Sequence, residues 1–220
     1  IELSSSLTAN TVLDFTNYQT EYGLGTNGRR PSTQGEAAGN GQLSWGEKHD
    51  GVPTIQFDGV MRPYSALGQN RIKEFYRMGT TMTNSVALSG GGENGSFRAS
   101  FSNTQASGID PRNTYGRRLV NVGLNQNITE KLTLAMNINY TNENNNNPPQ
   151  VGQQGQSAAN FLHRMSLTTP TSAFRDNNFD PITQTERITS GFQSTMINPY
   201  YLYPRQFYLD YSLRRDNARA

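Results

Sequence analysis

Leu132-Thr133-Leu134-Ala135-Met136-Asn137-Ile138-Asn139-Tyr140 is the stretch that decides the fold. Every even position is apolar and every odd position is small or polar. A two-residue period of this length belongs to a β-strand, because successive side chains leave a pleated backbone on opposite faces. Leu132, Leu134, Met136, Ile138 and Tyr140 therefore share one face, and Thr133, Ala135, Asn137 and Asn139 the other.

The same alternation recurs upstream. Val120, Val122 and Leu124 alternate with Asn121 and Gly123; Phe97, Ala99 and Phe101 alternate with Ser96, Arg98, Ser100 and Ser102. Met82, Val86 and Leu88 alternate with Thr81, Thr83, Ser85 and Ala87, and Ile1, Leu3 and Leu7 form a weaker copy. Short Gly/Asn connections, Gly90–Gly95 and Asn127–Lys131, read as hairpin turns. The pattern predicts strands near 1–9, 80–89, 96–105, 117–126, 132–142 and 207–215. Residues 106–116 form a longer link. Two long polar excursions, 10–79 and 143–206, carry Pro, Gly and Asn but no sustained helical period. Within them only Ser157–Met165 has a helical look, and the Asn144–Asn147 run reads as mobile, low-complexity chain.

Composition narrows the class. Hydrophobic residues make up 33% and charged residues 16% of the 220, while glycines number 21. Soluble domains typically hold roughly 45–50% apolar residues (glycine included) and about a quarter charged, so a compact enzyme domain is not expected. Aromatics at 10% and a net charge of +2 argue against simple disorder. No run of about 18 apolar residues exists, which excludes a membrane-spanning helix but not a membrane-spanning barrel. Near-neutral charge without a Lys/Arg block gives no reason to expect nucleic acid. Cysteine is absent, so disulfides and thiolate metal sites are out. Ile1-Glu2-Leu3-Ser4 has neither an initiator Met nor a signal-like segment, and the chain reads as part of a longer polypeptide.

Short turns at one end and long loops at the other are the signature of an outer-membrane barrel, with short turns periplasmic and long loops outside. The competing architecture is a soluble β-sandwich with one face on a core and one in water. Strand period alone does not separate them; the loop asymmetry favours the barrel. On that reading Val86, Leu88, Phe97, Phe101, Val120, Val122, Leu124, Leu132, Leu134, Met136, Ile138 and Tyr140 face lipid. Six strands leave two open edges, so further strands are expected.

Several segments resemble the SusC/RagA family of TonB-dependent outer-membrane transporters of Bacteroidota. Asn17-Tyr18-Gln19-Thr20-Glu21-Tyr22-Gly23-Leu24-Gly25 is similar to the family's "YQNEYGQG", and Ser44-Trp45-Gly46-Glu47-Lys48-His49-Asp50-Gly51 to its "SWGPKLDG". Asn70-Arg71-Ile72-Lys73-Glu74-Phe75-Tyr76-Arg77-Met78-Gly79 resembles "N-x-I-K-D-F-F-x-x-G". Gly108-Ile109-Asp110-Pro111 and Asn198-Pro199-Tyr200 fall where the family has similar runs, in the same order. Glu47 stands where Pro is common and Leu24 where Gln is common. The resemblance implies an all-β fold, about the first six strands of a 22-stranded barrel, with plug and remaining strands outside this chain. It further implies localisation in the Gram-negative outer membrane, import of oligosaccharides or peptides, a SusD-like surface lipoprotein as partner, and energy through TonB. The rival function is a secreted or surface β-sandwich that binds glycans.

No catalytic constellation is present: no H-E-x-x-H, G-x-S-x-G or Walker pattern occurs. His49 and His163 read as ordinary loop residues. Asp176-Asn177-Asn178-Phe179-Asp180 gathers oxygen ligands but lacks the Gly and terminal Glu of a calcium loop. No enzyme activity, cofactor or metal is expected. Trp45, Tyr64, Tyr200, Tyr201 and Tyr203 lie in the long loops among amides and arginines. Aromatic faces stack on sugar rings, so these five are the candidate contacts with substrate or the lipoprotein. Packing of loops against one another is the simpler alternative for each, and the Tyr200–Tyr203 run also suits an interface anchor.

Overall fold

A computed structural model describes residues 1–148, 158–177, 179–180, 182, 185–186, 198, 200 and 215–219. In chain order the elements begin with β1 (Glu2–Asn10), α1 (Gln34–Gly39), β2 (Pro53–Ile55), β3 (Met61–Pro63) and α2 (Arg71–Phe75). Four long strands follow: β4 (Gly79–Gly92), β5 (Gly95–Ser107), β6 (Thr114–Thr129) and β7 (Leu132–Asn146). The rest are α3 (Ala158–Arg164), α4 (Thr171–Asp176), β8 (Phe179–Asp180), β9 (Thr185–Glu186) and β10 (Arg215–Arg219). The fold is mostly antiparallel β-sheet with few, short helices. It divides into two compact units: Ile1–Thr11, Arg77–Pro148 and Leu213–Ala220 form the first, and Val12–Tyr76 with Pro149–Ser212 the second.

The first unit is one sheet in the order β1-β4-β5-β6-β7-β10, antiparallel throughout. Strands run longer than the alternation alone predicts. The glycines at 90–92 and 95 stay in the ladder, so the first hairpin turns on Glu93-Asn94 alone. The Asn run is not mobile: Asn144–Asn146 lie in β7, opposite Gly116–Thr114 and β10. Amide side chains hold it, with Asn146 Nδ2 donating to Thr114 Oγ1 at 3.1 Å and Asn113 Nδ2 to the Asn147 carbonyl at 3.1 Å. The last strand is described over Arg215–Arg219, four residues beyond its predicted end; 207–214 lie outside the described residues. β1 and β10 are the sheet edges, and among the described residues no second partner closes them.

Register places Leu3, Val86, Phe101, Val120 and Tyr140 directly opposite one another across five strands. Their face is apolar and exposed: Leu88 is 46%, Phe101 42% and Ile138 50% accessible. The reverse face carries small hydroxyl and amide side chains and is the more enclosed one on β4 and β5. Ala87 and Thr104 are buried there. Thr83 pairs with Thr104 at 3.0 Å, and Ser85 Oγ donates to Ser102 Oγ at 3.0 Å.

The second unit shows what the excursions read as 10–79 and 143–206 build. Their described parts fold together around a core of Phe57, Ile72, Phe75, Phe161, Leu162, Met165, Ala173 and Phe174. The Phe57 and Phe174 rings stack at 4.8 Å, and Phe161 meets Phe174 edge-on at 4.8 Å, geometry that adds about 0.5–1.5 kcal/mol per pair to the burial itself. Helices of five to seven residues supply all of these side chains but Phe57 and Met165, too short for a 3.6-residue period to register in sequence. α3 falls inside the one predicted helical stretch, and its Phe161 and Leu162 are buried as the spacing requires.

Candidate functional site

The two longest motif segments of the second unit pair with each other. Gly23 N donates to the Glu47 carbonyl at 3.0 Å, Trp45 N to the Gly25 carbonyl at 3.2 Å, and His49 N to the Glu21 carbonyl at 2.8 Å. Glycine is needed on this ribbon because Tyr64 lies against it. A Cβ on Gly46 would sit 2.4 Å from the Tyr64 hydroxyl, and one on Gly23 2.6 Å from its ring. Tyr64 is fully buried and its OH donates to the Leu24 carbonyl at 2.7 Å. Burial pushes its phenol up to about 12.

Thr168 ties the ribbon to the second excursion. Its Oγ1 accepts from Leu24 N at 2.7 Å and lies 3.1 Å from His49 Nε2, while His49 Nδ1 is 2.7 Å from the Thr20 carbonyl. A carbonyl can only accept, so Nδ1 carries the proton and Nε2 accepts from the Thr168 hydroxyl. His49 is thereby a structural link.

Arg30 forms the electrostatic centre. Its guanidinium reaches Glu47 Oε2 and Asp50 Oδ2, each at 2.6 Å, and lies 4.3 Å over the Tyr64 ring. Hydrogen bonds to Asp50, then to Glu47, hold it firmly protonated against partial burial, and the same contacts keep both carboxyls below their ordinary range. Beside this pair opens a polar groove of about 1120 Å³ lined by Asn27, Arg29, Arg30, Ser32, Asn40 and Glu47 among others. Glu36 at its edge is occupied in capping α1, accepting from Ser32 N at 2.7 Å. Sequence reasoning missed Arg30 and Thr168; the Arg29-Arg30-Pro31 run was the available signal for the first, and nothing local marks the second.

The candidate aromatics separate. Trp45 is 73% exposed, held only through its backbone, while neighbouring Ser44 turns inward to Ser166 Oγ at 3.0 Å. Trp45 stands two residues before Glu47, but the chain bends at Gly46 between them and the indole is not part of the groove's lining. Tyr64 is enclosed and offers no stacking surface. Tyr200 is half-buried, packed edge-on to Phe75 at 5.3 Å, its phenol raised to about 12 by desolvation. Tyr201 and Tyr203 lie outside the described residues. The twelve apolar strand residues do share one face of the sheet, exposed on β4, β5 and β7 and half-buried at Val120, Val122 and Leu124.

Among the described residues no three His, Asp or Glu side chains converge as a metal site. Asn177 is committed to Asp58 Oδ2 at 3.0 Å and to the Ala173 carbonyl, and Asp176 pairs with Arg175. No helix among the described residues is long and apolar enough to cross a membrane. Compared with models of known families and with curated proteins, the chain matches none.

Proposed function

We propose that the six-stranded sheet is a sector of a transmembrane β-barrel, and that the chain belongs to a SusC/RagA-type TonB-dependent importer. In this reading the apolar face meets outer-membrane lipid and the hydroxyl face lines the lumen. The second unit is built from outer loops, with Trp45 and the Arg29–Glu47 groove meeting oligosaccharide or peptide substrate or the SusD-like lipoprotein. TonB supplies the energy through segments outside this chain.

One observation carries the membrane reading: the apolar band crosses the strands obliquely. At its outer end the band stops at Tyr140 on β7 and at Leu7 on β1. Leu7 lies in register with Met82, Gln105, Gly116 and Asn144, and Asn144 is four residues on from Tyr140. A drift of about 14 Å across about 19 Å of sheet corresponds to a strand tilt of about 35°, the inclination that barrel closure demands. A soluble sandwich has no reason to slant its apolar band and would bury it under a second sheet.

Single cysteines test the assignment, since the chain has none. Cysteines at Leu134, Met136 and Ile138 should resist a water-soluble maleimide in membranes, whereas those at Asn137 and Asn139 should react once the lumen is reached. Equal or reversed labelling overturns the barrel reading.

A further inference from the structure

We propose that the sheet face just above the apolar band binds the phosphate-bearing headgroups of outer-leaflet glycolipid, an inference that rests on the barrel reading. Beyond Phe101, Val120 and Tyr140, the next positions on the same face are Asn103, Arg118 and Asn142, all in register. Arg118 is exposed and forms no ion pair with any described residue. Arg219 pairs with Asn142 and Arg215 with Asn146, which places both positions on this same face.

Charge is divided between the two faces at this height. From this row to the tops of β5, β6, β7 and β10, the apolar side's positions hold three arginines and neither Asp nor Glu. The reverse side at the same level pairs Arg117 with Glu143 at 4.0 Å, and Tyr115 OH donates to Glu143 Oε1 at 3.0 Å. Solubility alone gives no reason to place arginine positions, with no acidic position among them, on one side only. Guanidinium forks beside amide donors suit phosphate oxygens. The positions of Arg118 and Arg219 lie two strands apart, about 10 Å, a spacing that matches one headgroup carrying two phosphates.

The test uses the complete polypeptide purified in detergent, titrated with mixed micelles of diphosphoryl lipid A or its dephosphorylated form, with retained lipid counted by native mass spectrometry. Wild type should retain the diphosphoryl form preferentially. Arg118→Gln and Arg219→Gln should each lower its retention about fivefold, Arg118→Lys should keep most of it, and Arg117→Gln should change nothing. Equal retention by wild type and both Gln variants overturns the proposal, as does equal uptake of the two lipids by wild type. Failure to take up either lipid overturns the barrel reading itself.

Discussion

Ser5 Oγ donates to Asn84 Oδ1 at 2.8 Å within the apolar band at the β1 edge of the sheet. Leu3 and Leu7 flank Ser5, and Met82 and Val86 flank Asn84, directly across the β1–β4 ladder. The two polar side chains that interrupt the band on these strands thus satisfy each other. Ser5→Ala should cost about 1–2 kcal/mol in a bilayer by leaving the amide with one partner fewer. The double change Ser5→Ala/Asn84→Leu should recover most of that loss. A double-mutant cycle by urea unfolding in lipid vesicles measures it; strictly additive effects would show that the pair is not coupled.

Charge on the two faces should have opposite consequences. Ile138→Lys should destabilise the assembled protein by about 2–4 kcal/mol, while Asn137→Lys on the reverse face should cost less than about 1 kcal/mol. Folding titrations of both variants in vesicles decide the matter, and equal tolerance would contradict the face assignment.

The second unit contains a carboxylate whose removal should be felt strongly. Asp58 is 1% exposed and takes both terminal nitrogens of Arg62, at 2.7 and 2.8 Å. Burial opposes ionisation, yet the Arg62 contacts and the Val60 amide outweigh it and hold the carboxyl below its ordinary range. Asp58→Ala should cost about 3–5 kcal/mol, since it strands the guanidinium. A lowered folded pKa means the contribution is present above the unfolded value near 3.9 and is lost as pH falls through the folded one. Thermal melts should therefore hold steady from pH 7 to about 5 and decline below about 4, with a shallower decline in Asp58→Asn.

Gly46→Ala should disrupt the ribbon, because its methyl would collide with the Tyr64 hydroxyl and the Leu24 carbonyl, at 2.4 and 2.5 Å. Tyr64→Phe removes the hydroxyl, leaves the Leu24 carbonyl unpaired and only partly relieves the crowding. Proteolysis rates of the second unit compare the three; Gly46→Ala should be cut fastest.

Trp45→Ala should leave stability within about 0.5 kcal/mol, as expected for an exposed side chain away from special backbone geometry, yet reduce substrate or lipoprotein binding. Calorimetric titration of the complete polypeptide with each separates those roles. Unchanged affinity for both would remove Trp45 from the site.

Sequence periodicity gave a good account of the sheet because successive side chains leave a strand on opposite faces, so Leu134 and Asn137 separate apolar from polar chemistry by position alone. Strand ends were harder: Gly90–Gly92 and Asn144–Asn146 pair through backbone and amide groups that leave no hydrophobic trace. The second unit was almost illegible. Its core joins Phe57 to Phe174 and Ile72 to Met165 across more than ninety residues of chain, and Thr168 links Leu24 to His49 by hydrogen bonds that no local pattern announces. Trp45 and Tyr64 look alike as loop aromatics; only the approach of Gly23 and Gly46 to one ring distinguishes an exposed platform from a buried post.

Asn10 and Gly79 are register partners, so the β1–β4 ladder zips shut at the foot of the long excursion between them. Strand pairing at that point does not depend on what the excursion contains, and lengthening a loop adds only about 0.6 kcal/mol of closure entropy per doubling. The second unit can thus be replaced as a whole, Val12–Tyr76 together with the partners of its core in 158–174, while the β1–β4 ladder keeps its alignment.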